Sequence, residues 1–302
     1  MIDIGSNTVR LVIYRTESGI IHPILNNKKT VGLAGYVDKR NCLSKEGIHR
    51  LIDVLREFTE VISLLPDCPV YPFATASLRN VANTEQILEA VWRETGLGIQ
   101  VLSGHEEAML DYRGALRHMS MESGLLVDVG GGSTELVFFK DRTVLAAHSI
   151  PLGSLNLYRS YVESIVPEKA ELRAMRHKVQ SCLNAVMPPE TVDISYPICG
   201  VGGTARAAQA LHDHLYPNSA SKHQYDAQFL REILRLAEKK PRKLMRQILK
   251  VASERVHTLL PGMVILQSAA ELYDISRIRT SPYGVREGYL SFILEKEGIL
   301  CD

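Results

Sequence analysis

The spacing of hydrophobic and polar positions predicts strands and helices that alternate along the chain. Short apolar runs bounded by glycine, proline or polar residues predict strands at 9–14, 70–74, 99–102, 143–150 and 196–199, and a strand–loop–strand unit at 125–139. Apolar positions three or four residues apart predict helices at 44–62, 84–95, 104–119, 168–187 and 205–214, while 31–36 reads as strand or turn. This order predicts an α/β protein in which helices cover sheets.

A glycine-rich turn occurs twice, each time between two apolar runs. The copies are MIDIGSNT at 1–8 and VDVGGGSTE at 127–135. Glycines let several backbone N–H groups approach one anion, and the hydroxyls of Ser6, Thr8, Ser133 and Thr134 can add donors. The sequence therefore predicts two phosphate-binding turns, formed by Gly5, Ser6, Asn7 and Thr8 and by Gly130, Gly131, Gly132, Ser133 and Thr134.

An aspartate precedes each turn at the same offset. Asp3 and Asp128 are placed to hold a divalent cation, directly or through water. The alternative is that each side chain caps its own turn. The repeat predicts two related halves that face one phosphate-filled cleft, and we expect domains at 1–120 and 121–302.

Bulk composition excludes several classes of protein. The chain has 302 residues, 45% of them hydrophobic, and a formal net charge of +1, so nothing indicates a nucleic-acid-binding protein. The five cysteines form no C-x-x-C pair and no zinc spacing, which predicts reduced thiols in a cytoplasmic protein. We find no signal peptide and no apolar run of membrane-spanning length, so we expect no membrane association.

Three further segments carry candidate chemistry. Ser103-Gly104 begins a helix with Glu106 and Glu107 in its first turn; only one of the two can face inward, and the alternative is that both complement the helix dipole. Arg79 follows a strand, where it would neutralise phosphoryl oxygens or simply be solvated. Gly202, Gly203 and Thr204 precede a helix and predict a third anion site.

Two other segments have simpler explanations. The basic stretch at 239–250 could bind an extended polyanion, although basic runs are more often solvated faces. His212 and His214 lack a convergent acid cluster, so we expect a structural role for them at the end of a helix. His105 is expected to be structural or to lie at the rim of the site.

Six motifs occur in the order found in one enzyme family. They are Asp3-x-Gly5-Ser6-Asn7, Thr75-Ala76-x-Leu78-Arg79, Ser103-Gly104-x-Glu106-Glu107-Ala108, Asp128-x-Gly130-Gly131-Gly132-Ser133-Thr134-Glu135, Gly202-Gly203-Thr204 and Gly284-x-Arg286-Glu287-Gly288. Over nearly its whole length the chain resembles the exopolyphosphatase and guanosine-pentaphosphate phosphohydrolase (Ppx/GppA) family. The resemblance implies two actin-like (ribonuclease H-like) domains of the Hsp70/sugar-kinase superfamily, with the active site in the cleft between them.

The resemblance also implies roles for individual residues. It makes Glu107 the general base and supports Asp128 and Glu135 as ligands of Mg²⁺. Asp3, as a further ligand, and Arg79, as a clamp on the transferred phosphoryl group, are predicted from their positions at strand ends. A monovalent cation such as K⁺ is a further possible cofactor, and a homodimer a possible assembly. Two departures from the family pattern stand out: the first strand is short, which would fit a start upstream of Met1, and His257 stands where the family often has an acid.

These features predict a Mg²⁺-dependent exopolyphosphatase that removes the terminal phosphate of linear inorganic polyphosphate. The first alternative is the same chemistry on guanosine pentaphosphate (pppGpp). A non-catalytic nucleotide-binding regulatory or scaffold protein is an alternative of another class, which the intact Ser103-Gly104-x-Glu106-Glu107 segment disfavours. A sugar or acetate kinase would need a base aspartate in the second half and an adenine pocket, and the sequence shows neither.

Overall fold

The computed structural model describes residues 1–17, 20–65, 67–117, 119–186, 188–189, 196–219 and 223–299. Its contacts divide the chain into two compact units. The first unit comprises 1–104 and 292–302, and the second comprises 105–291. The boundary expected at 120 does not coincide with this division, because the helix that begins at Gly104 packs with the later residues. The domain limits at 1–120 and 121–302 therefore stay a prediction.

The first unit is built on a five-stranded sheet. Its strands are β1 (Ile2–Ile4), β2 (Thr8–Glu17), β3 (Ile20–Thr30), β4 (Pro72–Ala74) and β5 (Gln100–Val101). Its helices are α1 (Lys45–Ser63), α2 (Ala76–Arg79) and α3 (Thr84–Thr95). Ser44 begins α1 by accepting a hydrogen bond from Gly47 N, and Gly96 ends α3 in a left-handed conformation, as the sequence predicts.

The second unit is built on a six-stranded sheet. Its strands are β6 (Gly124–Val129), β7 (Thr134–Lys140), β8 (Thr143–Ile150), β9 (Ile198–Val201), β10 (Gln224–Asp226) and β11 (Arg277–Thr280). The remaining helices are α4 (Gly104–Leu116), α5 (Ser154–Tyr161), α6 (Lys169–Leu183), α7 (Gly202–Leu215), α8 (Gln228–Lys239), α9 (Pro241–Val251), α10 (Leu259–Leu272) and α11 (Val285–Lys296).

The two sheets share one topology. The first has the order β3-β2-β1-β4-β5, and the second has β8-β7-β6-β9-β11 with β10 added at the end. In each sheet, the strand before the glycine-rich turn (β1 or β6) pairs antiparallel with the strand after the turn (β2 or β7). On its other side it pairs parallel with β4 or β9, respectively. The duplicated turn of the sequence is thus one part of a duplicated fold.

Alternation along β6 and β7 separates two cores in the second unit. Leu125 and Val127 belong to the larger core, whereas Leu126 and Val137 belong to a smaller core that also contains Ala108 of α4. Helix α4 therefore covers the face of the sheet to which residues 126 and 128 both project. This places Glu107 of α4 beside the carboxylates of the sheet.

Several elements refine the sequence prediction or differ from it. Of the two possibilities left open for 31–36, strand or turn, Leu33–Tyr36 forms a turn, of the 3₁₀ type. Its place after a strand predicts a loop position for Arg79, but Arg79 is the last residue of α2, a single helical turn after β4. Gly202, Gly203 and Thr204 do not precede α7 but form its first turn, with Val201 as the N-cap residue. In the described part of the chain, no helix combines the length and hydrophobicity needed to cross a bilayer.

Candidate active site

Both predicted phosphate-binding turns have the same backbone geometry. Gly130 N donates to Ser133 O at 3.0 Å, and Gly5 N donates to Thr8 O at 3.0 Å. A Cβ at Gly130 would lie 3.1 Å from Ser133 O, and one at Gly5 would lie 3.2 Å from Thr8 O. Both glycines therefore stand where a side chain would crowd the turn.

The N-terminus of α5 fixes the second turn. Ser154 N donates to Gly130 O at 2.9 Å, and Leu155 N donates to Gly131 O at 3.0 Å. A Cβ at Gly153 would lie 2.3 Å from Gly131 O, so the two backbones meet closely because glycine stands there. These bonds engage carbonyl groups and hold the turn in one conformation.

Three hydroxyls near the turn have partners within the protein. The Thr134 hydroxyl donates to Leu152 O at 2.6 Å, and the Thr204 hydroxyl donates to Val129 O at 3.1 Å. The Ser133 hydroxyl bonds to the Glu135 carboxylate. A hydroxyl has a single proton to donate, and the hydroxyls of Ser133 and Thr134 have partners within the protein. Their contact with an anion stays a prediction, and their backbone N–H groups are the other donors they could offer.

Asp128 and Glu135 are direct cross-strand partners on β6 and β7. Glu135 is 1% exposed, and its Oε1 accepts a hydrogen bond from Ser149 Oγ at 2.8 Å. Burial raises the pKa of Glu135 well above its usual range, and the nearby carboxylates of Glu107 and Asp128 raise it further. The structure thus brings the two predicted metal ligands of this half together with the predicted base.

Helix α4 separates its two glutamates as the sequence predicts. Glu107 is 7% exposed, whereas Glu106 is exposed to solvent. One turn later on the same helical face lies Asp111, which is fully buried. Sequence reasoning missed Asp111, although an aspartate four residues after the candidate base on an otherwise apolar face was a usable signal. We call Glu107, Asp111, Asp128 and Glu135 the acid group.

Three arginines adjoin the acid group. Burial raises the pKa of Asp128, and the positive charges of Arg206, Arg255 and Arg286 act in the opposite direction. The Arg255 guanidinium covers Gly203, since a Cβ there would lie 1.7 Å from its Nη2. These side chains and the free N–H groups at the start of α7 create a positive region beside the carboxylates, suited to an anion. We call the three the arginine group.

The sequence analysis did not assign a role to this arginine group. Arg286 is part of the Gly284-x-Arg286-Glu287-Gly288 motif, while Arg206 and Arg255 belong to no predicted site. The three lie on α7, between α9 and α10, and on α11, so their spacing along the chain gives no local pattern. Only the tertiary fold brings them near Asp128.

The donor chemistry fits a hard divalent cation. All four members of the acid group offer carboxylate oxygens, which Mg²⁺ prefers. Asp128 also has room created by glycine: a Cβ at Gly202 would lie 2.0 Å from Asp128 Oδ1. In the described residues, no three or more His, Cys, Asp or Glu side chains are arranged to enclose a metal ion. An open site of one or two carboxylates completed by phosphate oxygens is the usual mode for Mg²⁺.

The remaining predicted residues lie in the first unit. Asp3 is partly buried at the centre of β1, and its neighbours Gly5, Ser6, Asn7 and Thr8 form the turn. The Asn7 carbonyl accepts from Val31 N and Gly32 N at 3.0 and 2.9 Å, which ties this turn to the chain after β3. Arg79 Nη1 donates to Leu102 O at 3.0 Å. These residues therefore all belong to the first unit, and their roles stay predictions.

The basic stretch at 239–250 and His212 lie where a solvated face and a structural histidine are expected. Lys239, Lys240, Arg242 and Lys243 are exposed where α8 meets α9. His212 packs against the rings of Tyr216, Tyr225 and Phe229 and contacts Asp213 at 3.1 Å. A histidine in an aromatic cluster has a packing role, as expected for the end of α7.

Curated proteins named as exopolyphosphatases or as a guanosine-phosphate pyrophosphatase resemble this chain over most of its length. Exopolyphosphatase 1 of Mycobacterium tuberculosis is 25% identical over 98% of this chain and 88% of its own length. A putative exopolyphosphatase of Haemophilus influenzae is 27% identical over 100% of this chain and 92% of its own length. The guanosine-5′-triphosphate,3′-diphosphate pyrophosphatase of Vibrio parahaemolyticus is 28% identical over 95% of this chain but 57% of its own length.

Solved structures give the same assignment. A Ppx/GppA protein of Aquifex aeolicus superposes with a TM-score of 0.77 at 29% identity, covering 98% of this chain and 97% of its own. An exopolyphosphatase of Cytophaga hutchinsonii shares the fold with a TM-score of 0.80 at 20% identity, covering 98% of this chain and 97% of its own. The Ppx/GppA phosphatase family model matches residues 12–297. With this match over nearly its full length, its duplicated actin-like fold and its six ordered motifs, the chain belongs to the Ppx/GppA phosphatase family.

Proposed function

We propose that this chain is a phosphoanhydride hydrolase that removes the terminal phosphate of linear inorganic polyphosphate. The observation that carries the proposal is the acid group set against the arginine group within one unit. Phosphoryl transfer requires an activated nucleophile on one side and neutralisation of phosphoryl oxygens on the other. Family membership and relatives named exopolyphosphatase support the same reaction.

In this proposal Glu107 is the general base. It is the buried member of the glutamate pair, on the face of α4 that covers the sheet. Glu107 accepts a proton from water as the water oxygen forms a bond to the terminal phosphorus. The bond from that phosphorus to the bridging oxygen breaks, and the shortened chain leaves with the electron pair.

The arginine group and the start of α7 would hold the phosphate oxygens. Arginine offers paired N–H donors that match two oxygens of one phosphate, and helix N–H groups add directed donors. The Gly130–Thr134 turn would contribute backbone N–H groups on the same unit. In the first unit, the Gly5–Thr8 turn, Asp3 and Arg79 are proposed to serve the same substrate.

A divalent cation, which we propose to be Mg²⁺, would be held by Asp128 with its neighbours in the acid group. When bound, it would offset the negative charge of the substrate phosphates. Glu135 would support Asp128 from the adjacent strand, since the two are cross-strand partners. K⁺ as a further cofactor and a homodimeric assembly stay predictions of the same proposal.

The second candidate substrate is pppGpp, because relatives named guanosine-5′-triphosphate,3′-diphosphate pyrophosphatase are as similar in sequence as those named exopolyphosphatase. Phosphate release should be measured side by side on short polyphosphate, long polyphosphate, pppGpp and ATP. We expect short polyphosphate to be hydrolysed fastest. Much faster hydrolysis of pppGpp would make it the substrate, and no release from any of the four would refute the hydrolase.

A further inference from the structure

Asp111 is a buried carboxylate without a donor. Its side chain is 0% exposed, and neither Oδ1 nor Oδ2 has a hydrogen-bond partner among the described residues. A charged group removed from water is strongly unfavourable unless a partner of opposite charge or a set of donors compensates for it. A carboxylate in this position therefore needs an explanation beyond packing.

The groups that surround Asp111 are themselves acidic and cannot compensate for a negative charge on it. The Asp128 carboxylate lies within hydrogen-bonding range, and the carboxylates of Glu135 and Glu107 are also close enough to interact. Two ionised carboxylates cannot bond to each other, so the pair Asp111–Asp128 requires a proton or a cation between them.

Glycine backbone lies directly against both side chains. A Cβ at Gly202 would lie 2.0 Å from Asp128 Oδ1, and a Cβ at Gly284 would lie 3.0 Å from Asp111 Oδ1. Gly202 also has a φ of 77°, a conformation that residues with side chains rarely adopt. Backbone thus meets the two carboxylates closely, and the carboxylates converge from two different elements.

We propose that Asp111 and Asp128 bind the divalent cation together, so that Asp111 is the second protein ligand of the site. Two carboxylates with the remaining positions taken by water and phosphate oxygens match the coordination that Mg²⁺ adopts in phosphate-processing enzymes. The arginine group faces Asp128, where it is placed to hold the phosphates that complete the shell. The assignment rests on the proposed function for its cation and phosphates, but cation binding is measurable without turnover.

The test is binding of Mn²⁺, as a paramagnetic probe for Mg²⁺, to the intact chain without substrate. Free Mn²⁺ is quantified by electron paramagnetic resonance for wild type, Asp111→Asn, Asp128→Asn and the exposed control Asp53→Asn on α1. We expect Asp111→Asn and Asp128→Asn each to weaken binding at least ~10-fold, the effect of losing one carboxylate ligand. Asp53→Asn should bind like wild type.

Thermal unfolding in EDTA and in Mn²⁺ checks that each variant is folded. Mn²⁺ should raise the Tm of wild type and have little effect on Asp111→Asn, because a ligand stabilises only the state that binds it. In EDTA, Asp111→Asn should unfold no earlier than wild type, since it removes a buried like charge. Binding by folded Asp111→Asn within about twofold of wild type, or no Mn²⁺ binding by wild type, would overturn the assignment.

Asp111→Cys gives a second readout that does not depend on Asp111→Asn folding. A thiolate prefers soft cations, so Cd²⁺ should gain affinity relative to Mn²⁺ and show a thiolate-to-cadmium charge-transfer band in excess of the background that the native cysteines give in wild type. A folded Asp111→Cys without that band refutes ligation. If Mn²⁺ binding depends on Asp111 but no phosphate is released, the site stands and the hydrolase proposal fails. If wild type hydrolyses the substrate while Asp111→Asn binds Mn²⁺ normally, the hydrolase proposal stands and the assignment of Asp111 as a ligand fails.

Discussion

At the scale of single residues, the site depends on glycines as much as on charged side chains. Gly202 is the sharpest case, since it combines a φ of 77° with close approach of the Asp128 carboxylate. Gly96 has a similar φ of 69° but open space around its missing Cβ. Comparing Gly202 with Gly96 therefore distinguishes the effect of backbone strain, which both share, from the effect of crowding Asp128, which only Gly202 has.

Gly202→Ala should therefore impair the site, whereas Gly96→Ala should only destabilise the fold. The left-handed conformation costs a residue with a side chain about 1–2 kcal/mol, so both variants should lose roughly this much free energy of unfolding. Gly202→Ala must also displace Asp128, and it should lose Mn²⁺ affinity and phosphate release. Denaturant unfolding, Mn²⁺ binding and phosphate release check this, and a Gly202→Ala variant as active as Gly96→Ala would contradict it.

At the scale of elements, α7 brings a helix N-terminus and an arginine to the same place. Arg206 lies in the second turn, partly buried, and Arg255 covers Gly203 in the first. An anion held here gains from the helix dipole and from both guanidinium groups. The sequence predicts the helix N-terminus but not the arginines, because these come from segments distant in sequence.

Arg206→Gln should raise KM for polyphosphate at least ~10-fold, because a charge-assisted contact to phosphate contributes on the order of 1.5–3 kcal/mol. The matched control is Arg231→Gln on α8, which removes an arginine paired with Glu271 at 2.9 Å. Steady-state phosphate release gives both parameters. An Arg206→Gln variant with the KM of Arg231→Gln would remove Arg206 from the phosphate site.

The basic stretch at the junction of α8 and α9 is exposed, so its role depends on a long substrate. Replacing Lys239, Lys240, Arg242 and Lys243 with Ser should raise KM for polyphosphate and leave kcat nearly unchanged, the mark of uniform binding. The same variant should keep its KM for ATP. An unchanged KM for polyphosphate would make the stretch a solvated face.

The elements also show what the sequence could predict. Periodicity and capping residues located α1 and α3, because Ser44 and Gly96 act locally. The repeated turn correctly predicted a duplicated fold, because the same backbone hydrogen bond closes the turn in both copies. Roles for Asp111 and Arg206 were not predicted, because the role of a buried charge depends on neighbours that are distant in sequence. The bond from the Thr134 hydroxyl to Leu152 O could not be predicted either, because Leu152 lies beyond the next strand.

At the scale of the whole molecule, a net charge of +1 offers no general attraction to a polyanion. Binding must come from local groups, whose contacts to successive phosphates are largely electrostatic. Affinity for polyphosphate should therefore fall steeply as salt is raised, because screening lengths shorten to about 8 Å at physiological ionic strength and about 3 Å at 1 M. KM measured across a salt series checks this, and a KM independent of salt would contradict electrostatic binding.

The central claim is that the acid group activates water for phosphoanhydride hydrolysis through Glu107. The most direct measurement compares phosphate release from short polyphosphate by wild type, Glu107→Gln and Glu106→Gln. Glu106 is the matched control, one residue away but exposed. We predict that Glu107→Gln lowers kcat at least ~10²-fold with little change in substrate binding, while Glu106→Gln is affected much less. An active Glu107→Gln variant, whether Glu106→Gln is active or not, would contradict the account.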